Sequence, residues 1–274
     1  MRLPLYNTGY KYFYNNNVCF VTSAKIGSRF FDNLLKLEVD KFSYPLNLSF
    51  NKFDNDIQTI PQDELSYHEY IHANILSNSK EVIFLVRNPY NRFISGASTI
   101  LDIIHNRLII QRQSISNADF MKAFITNPTD SKQIFMSEVL EFRLNLKKFI
   151  DSGNQEILKQ IIYNHIIKEA VYTDNHVSFH HFQILKFMEK TKDSGLVVKF
   201  LDIADLDTYI KCKTIDEINQ DFSNKNSIEI SSIFYQPIKD NLKKWIAKNE
   251  YMRLYFFLEE ESYHKIKREY EVLL

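Results

Sequence analysis

Between Val18 and His105 the chain twice passes from a short apolar run, through a polar turn, into a stretch with helical spacing. Val18-Cys19-Phe20-Val21-Thr22-Ser23 predicts a strand covered on both faces, because its apolar positions are continuous rather than alternating. Arg29–Glu38 follows as a helix, with Phe30, Leu34, Leu35 and Leu37 forming its apolar face. Glu81–Val86 repeats the strand and Asn91–His105 repeats the helix. Between the two pairs, residues 42–60 alternate loosely and can hold one short strand. Asp63–Ser77 is helical by spacing, with Asp63 as an acid in its first turn. Strands alternating with helices predict a mostly parallel sheet with crossover helices.

The second half reads differently. From Asn117 to about Ala170 the pattern is helical, with Phe120, Ala123, Phe124, Phe135, Val139, Leu140, Phe142 and Leu144 spaced for packing and Gly153 as a break. A strand returns at Leu196–Leu201, and helical stretches run from there to the C-terminus, interrupted by the polar loop Ser223-Asn224-Lys225-Asn226-Ser227. No repeat or low-complexity tract divides the chain, and with only 5 glycines there is no composition for a long flexible linker. The expectation is one α/β domain over residues 1–274, a mostly parallel sheet flanked by helices with a helix-rich second half.

Charge narrows the partners. Lys and Arg number 34, as do Asp and Glu, so the formal net charge is +0 and no general field draws the chain to nucleic acid; any anion site must be local. The first ten residues lack the apolar core of a signal peptide, and no apolar run approaches a membrane span. The two cysteines, Cys19 and Cys212, make no disulfide framework, and Cys19 falls in a buried strand. These features lead to the expectation of a cytoplasmic protein.

The turns after the two strands carry the chemistry. In Lys25-Ile26-Gly27-Ser28-Arg29 the lysine precedes the glycine, so the Walker pattern of glycine followed by lysine fails. The physical elements of a phosphate loop remain: Gly27 allows close backbone approach, Ser28 offers a hydroxyl, and the amides from Ile26 to Arg29 can form an anion-binding concavity beside Lys25. Taken by itself this loop fits an ordinary strand-to-helix turn with solvated cations equally well. In the second loop Arg87 ends the strand, Pro89 fixes the turn and Ser95 follows two helical turns later. A guanidinium can pair with phosphate through two parallel hydrogen bonds, and a hydroxyl can complete the site.

Lys25-Ile26-Gly27-Ser28-Arg29 resembles the 5′-phosphosulfate loop of the sulfotransferases, and Arg87-Asn88-Pro89-Tyr90-Asn91-Arg92-Phe93-Ile94-Ser95 resembles their 3′-phosphate segment. Weaker similarity extends to Thr173-Asp174-Asn175-His176 with Gln183, to Val198-Lys199-Phe200-Leu201-Asp202 with Leu206, and to a tyrosine-bearing C-terminal helix over Tyr263 to Leu273. The tryptophan-bearing signature of the small-molecule branch is missing, since Trp245 stands alone in Leu242-Lys243-Lys244-Trp245-Ile246, and this favours the carbohydrate-type branch. The resemblance implies a P-loop-like fold and 3′-phosphoadenosine 5′-phosphosulfate (PAPS) as co-substrate, without a metal. It also implies a hydroxyl acceptor on a saccharide. Lys25 would then stabilise the leaving oxygen, Ser28 and the loop amides would hold the 5′ phosphate, and Arg87 and Ser95 the 3′ phosphate. Arg29 and Arg92 are further cations in the same segments. The acceptor's base falls between the loops in that family, which selects His68 and then His72, with Glu38 and Glu64 behind them.

A rival motif overlaps the base. His68-Glu69-Tyr70-Ile71-His72 has the spacing of a zinc hydrolase, two imidazoles on one helical face with Glu69 as base. The extended form of that motif needs Gly and His where Ile75 and Asn78 stand, and no helix supplies an obvious third ligand. A kinase on a P-loop-like sheet, or a binding protein that keeps the loops without a working base, completes the alternatives.

Overall fold

The computed structural model describes residues 11–14, 18–23, 25–27, 31, 51–54, 79–112, 131–170, 176–206, 228–270 and 272–273. These fall into two compact units, one made of Met1–Gly96, Tyr172–Lys225 and Ile246–Leu274, the other of Ala97–Val171 and Asn226–Trp245.

The first unit is built on a sheet. Its strands are β1 (Lys11–Tyr14), β2 (Val18–Thr22), β3 (Asn51–Asp54), β4 (Glu81–Val86), β5 (Val197–Asp202) and β6 (Val272–Leu273), in the spatial order β3-β1-β2-β4-β5-β6. The pairs β2–β4, β4–β5 and β5–β6 are parallel, whereas β1 pairs antiparallel with both β2 and β3. The chain is therefore α/β with a mostly parallel sheet, closed on one side by an antiparallel edge. All five residues of β2 are buried, as are the last five of β4, which is the reason their sequences do not alternate. Cys19, Val21, Val82, Phe84, Val86 and Phe200 pack on one face, and Val18, Phe20, Ile83, Leu85 and Leu201 on the other.

Helix α1 (Pro89–Arg112) starts where sequence chemistry asks it to: the exposed Asn88 side chain accepts from the Asn91 amide at 3.2 Å, and Pro89 occupies the first helical position, where an N–H is dispensable. In the second unit, α2 (Ser131–Ser152) and α3 (Gln155–Ile162) are separated by Gly153 at φ +65, and α3 runs on into π-helical turns over Tyr163–Ala170. Phe142, Leu146, Leu158, Ile161, Ile166 and Phe234 are buried there. In the first unit, α4 (His181–Thr191) and α6 (Glu250–Glu269) cover the Cys19 face of the sheet; α5 (Ile228–Lys248) precedes α6 in the chain. Among the described residues, no helix is long and apolar enough to cross a membrane.

Strand β1, which the hydrophobic pattern does not mark, carries no β-branched residue and is held by its partners on both sides rather than by its own composition. Two expectations need adjustment, at the C-terminus and at Leu144. The C-terminal helix stops at Glu269, and Val272 and Leu273 pair with Phe200 and Leu201 as a strand instead of continuing the helix. The break expected at Gly153 within the stretch from Asn117 to Ala170 is present, and residues 117–130 of that stretch lie outside the described set. Leu144, placed in the apolar spacing, is 52% exposed.

Gly96 marks the tightest approach in the first unit. A Cβ at this position of α1 would overlap the His176 carbonyl and touch the Val177 side chain. Neither the helix backbone nor the turn can give way easily, so Gly96→Ala should destabilise the fold by about 3 kcal/mol, read as a lowered urea midpoint.

Candidate functional site

In open α/β sheets, ligands bind outside the carboxyl ends of the strands. Here β2 and β4 are adjacent and parallel, with Val21 opposite Phe84, so the turns that follow them leave the same edge side by side. After β2 the Ile26 amide donates to the Ser23 carbonyl at 3.0 Å and closes a tight turn. Lys25 stands at φ +67 and Gly27 at φ +73, both in the left-handed region. Gly27 meets this need without strain, and a Cβ there would come within 2.7 Å of Leu85 Cδ2. A lysine has no such exemption, and the conformation costs it about 1–2 kcal/mol. Two contacts hold Lys25 in place: the Ile26 side chain is fully buried in the core beneath it, and Arg87 Nη1 donates to the Lys25 carbonyl at 3.0 Å.

That last hydrogen bond joins the two loops read from the sequence. Lys25, Gly27 and Arg87 are brought to one edge, all half-buried, and Ser95 is half-buried two turns into α1. Ile26 takes a different part from the one its sequence suggests. Its amide, expected to face an anion, closes the turn, and its side chain belongs to the core. Arg92 is fully buried and donates through Nη1 to the Ser178 carbonyl, which makes it a strut. Ser28, Arg29, Glu38, Glu64, His68 and His72 lie outside the described residues, and with them the whole His68–His72 motif.

The structure adds a layer that sequence reasoning missed. His180 is fully buried: its Nε2 bonds the Leu85 carbonyl at 3.0 Å and its Nδ1 lies 3.3 Å from Ser23 Oγ. A carbonyl only accepts, so Nε2 carries a proton; in the neutral ring that burial favours, Nδ1 accepts from the serine hydroxyl. His180 thereby touches the last part of both strands, just before the Lys25 turn and just before Arg87. With its ring so engaged, His180 does not cap α4 through its own side chain. Glu259 of α6 caps it from across the fold. Its carboxylate accepts the amides of His180 at 2.8 Å, His181 at 3.3 Å and Phe182 at 3.1 Å, and His181 Nδ1 at 2.8 Å. A fully buried carboxylate at a helix N-terminus, within the field of a buried arginine, is favourably placed. The adjacent pair His180-His181 is visible in the sequence, but nothing local indicates its partners.

Burial alone would raise the Glu259 pKa; His181, Arg92 and the His180 amide outweigh it and hold the carboxyl below its ordinary range. For His180, burial comes first, followed by the charges of His181 and Arg92, and together they put its pKa well below 6.5 despite the Leu85 carbonyl. At the end of β5, Asp202 accepts from Tyr263 Oη at 2.7 Å and pairs with Lys267 Nζ at 2.9 Å. Burial opposes its ionisation, but these hydrogen bonds more than offset that and lower its pKa. Tyr90, in the second loop, stacks on Phe256 at 4.7 Å and is pushed up to about 12 by burial and by Glu260.

Comparison with known protein families, with curated proteins and with solved structures returned no match.

Two measurements check this geometry. Lys25→Gly and Lys25→Ala both remove the amine, but only glycine relieves the left-handed strain, so the glycine variant should unfold about 1 kcal/mol later than the alanine variant. The pH dependence follows from His180 and Glu259. Both have depressed values when folded, so the unfolded chain binds the extra protons, and their stabilisation is lost as pH falls. The urea midpoint should begin to fall below 6.5, the ordinary histidine value, and fall again below 4.5, the ordinary glutamate value; His180→Gln should remove the first decline and keep the second.

Proposed function

We propose that this protein is a PAPS-dependent sulfotransferase with a P-loop-like nucleotide site, acting in the cytoplasm on a hydroxyl group of a saccharide. The observation that carries the reading is the Arg87 Nη1 to Lys25 carbonyl hydrogen bond at 3.0 Å. It unites, at the carboxyl edge of two adjacent parallel strands, the two segments whose residues resemble the 5′- and 3′-phosphate segments of that family. The left-handed turn at Lys25 and Gly27 supports it further, since strain of this kind in a non-glycine residue collects at functional sites.

In this reading Lys25 stabilises charge developing on the bridging oxygen, and Gly27, Ser28 and Arg29 hold the 5′ phosphate. Arg87 and Ser95 bind the 3′ phosphate and so separate PAPS from ATP. His68, or His72 in its place, removes the proton from the acceptor hydroxyl. The acceptor oxygen forms a bond to sulfur as the bond from sulfur to the bridging oxygen breaks in line, and 3′-phosphoadenosine 5′-phosphate leaves with the electron pair. The demands on the protein are orientation and charge stabilisation, as in phosphoryl transfer.

The test is a thermal-shift titration with 3′-phosphoadenosine 5′-phosphate beside ATP and zinc. At 100 times its dissociation constant the bisphosphate should stabilise the fold by about 2.7 kcal/mol. Arg87→Ala should lose about 2–5 kcal/mol of that ligand's binding energy. A shift with zinc and none with either nucleotide would overturn the reading in favour of the His68–His72 motif as a metal centre.

A further inference from the structure

We infer that His180 is a positioning residue for the nucleotide site, a neutral strut that sets the separation of the two phosphate-binding loops. The inference rests on the nucleotide reading above and adds a residue to it. No feature of the two loop sequences points to this residue, which is 157 positions from Ser23 and 95 from Leu85.

The argument is geometric. A ligand with phosphates at both ends reads the distance between its two sites as well as their charge. That distance is set where β2 and β4 end. Above the strand ends, Arg87 ties itself to the Lys25 carbonyl. Below them, His180 bonds Ser23 Oγ with one ring nitrogen and the Leu85 carbonyl with the other, so one rigid imidazole spans the two strands. Ser23 is two residues before Lys25, and Leu85 is two before Arg87. The backbone that carries the ring is anchored, because the His180 amide bonds Glu259 and its neighbour His181 is held by the same carboxylate. Every atom of this strut is buried. In the neutral ring one of its two hydrogen bonds is donated, to the Leu85 carbonyl, and the other is accepted from the Ser23 hydroxyl.

Removal of the strut should leave both phosphate subsites chemically intact while freeing their spacing. The readout is therefore a ratio. Dissociation constants for 3′-phosphoadenosine 5′-phosphate and for adenosine 5′-monophosphate are measured by calorimetry on the full chain. His180→Ala should weaken the bisphosphate about tenfold, equivalent to about 1.4 kcal/mol, and leave the monophosphate within about twofold. His180→Gln, which keeps an amide donor and a carbonyl acceptor, should restore most of the ratio. Ser23→Ala removes the hydroxyl at the other end, keeps α4 capped, and should lower the ratio without adding to the effect of His180→Ala in the double variant. If His180→Ala does not fold, Ser23→Ala decides the matter alone. A wild-type chain that binds the bisphosphate, with the ratio unchanged in Ser23→Ala and, where it folds, in His180→Ala, overturns the strut. A wild-type chain that binds neither nucleotide overturns the nucleotide reading itself, and the strut with it.

Discussion

A carboxylate with no access to solvent organises the first unit. Glu259 gathers three successive amides at the start of α4 and one imidazole nitrogen, all within hydrogen-bonding distance. A buried charge left without such partners would cost several kcal/mol, so α6 can seat against α4 in essentially one register. Neighbouring contacts depend on that seating. Tyr255, one turn earlier on α6, reaches the Ser178 carbonyl that Arg92 also holds, and Tyr263, one turn later, reaches Asp202 at the end of β5. One face of one helix therefore touches the segment before α4, the start of α4 and the end of a central strand. Because Glu259 does the capping, the His180 ring is left available to brace the strands.

Fully buried polar side chains are usually read as a stability problem that must be offset. Here they also separate two jobs. The Ser23, His180, Glu259 and Arg92 layer is sealed and fixes backbone positions. The Lys25, Gly27, Arg87 and Ser95 groups above it are half-buried and keep contact with the outside. The half-buried cationic groups are thus kept apart from the charge that holds the frame, which allows the outer groups to be strained or cationic without loosening the inner ones.

The legible part of this fold was the part encoded by local pattern. Strands β2 and β4 were recoverable because each is a continuous apolar run, and β5 because only Lys199 interrupts its apolar residues; α1 begins at Pro89, two residues before the expected Asn91, because Asn88 caps it. The two loops were recoverable because their residue types sit at fixed offsets from strand ends. Strand β1 was not, since Lys11-Tyr12-Phe13-Tyr14 is aromatic and polar without β-branching, and becomes a strand through its neighbours. Val272 and Leu273 looked like the tail of a helix for the same reason: two residues have no period. His180 and Glu259 were out of reach for a different cause. Their significance lies wholly in partners far along the chain, and a histidine pair or a helix-borne glutamate has no local mark of being buried.

The separations along the chain have one more consequence, for the order of events during folding. Ser23 meets His180 across 157 residues, and His180 meets Glu259 across 79. Bonds of that range can close only after the intervening chain exists and has been gathered in, and topologies rich in such pairings fold slowly. During synthesis from the N-terminus, the Lys25 turn and Arg87 emerge long before the strut that spaces them and the carboxylate that anchors the strut. A nascent chain can therefore hold both loops before the His180 and Glu259 bonds that fix their backbone exist, since these close only with the last helix.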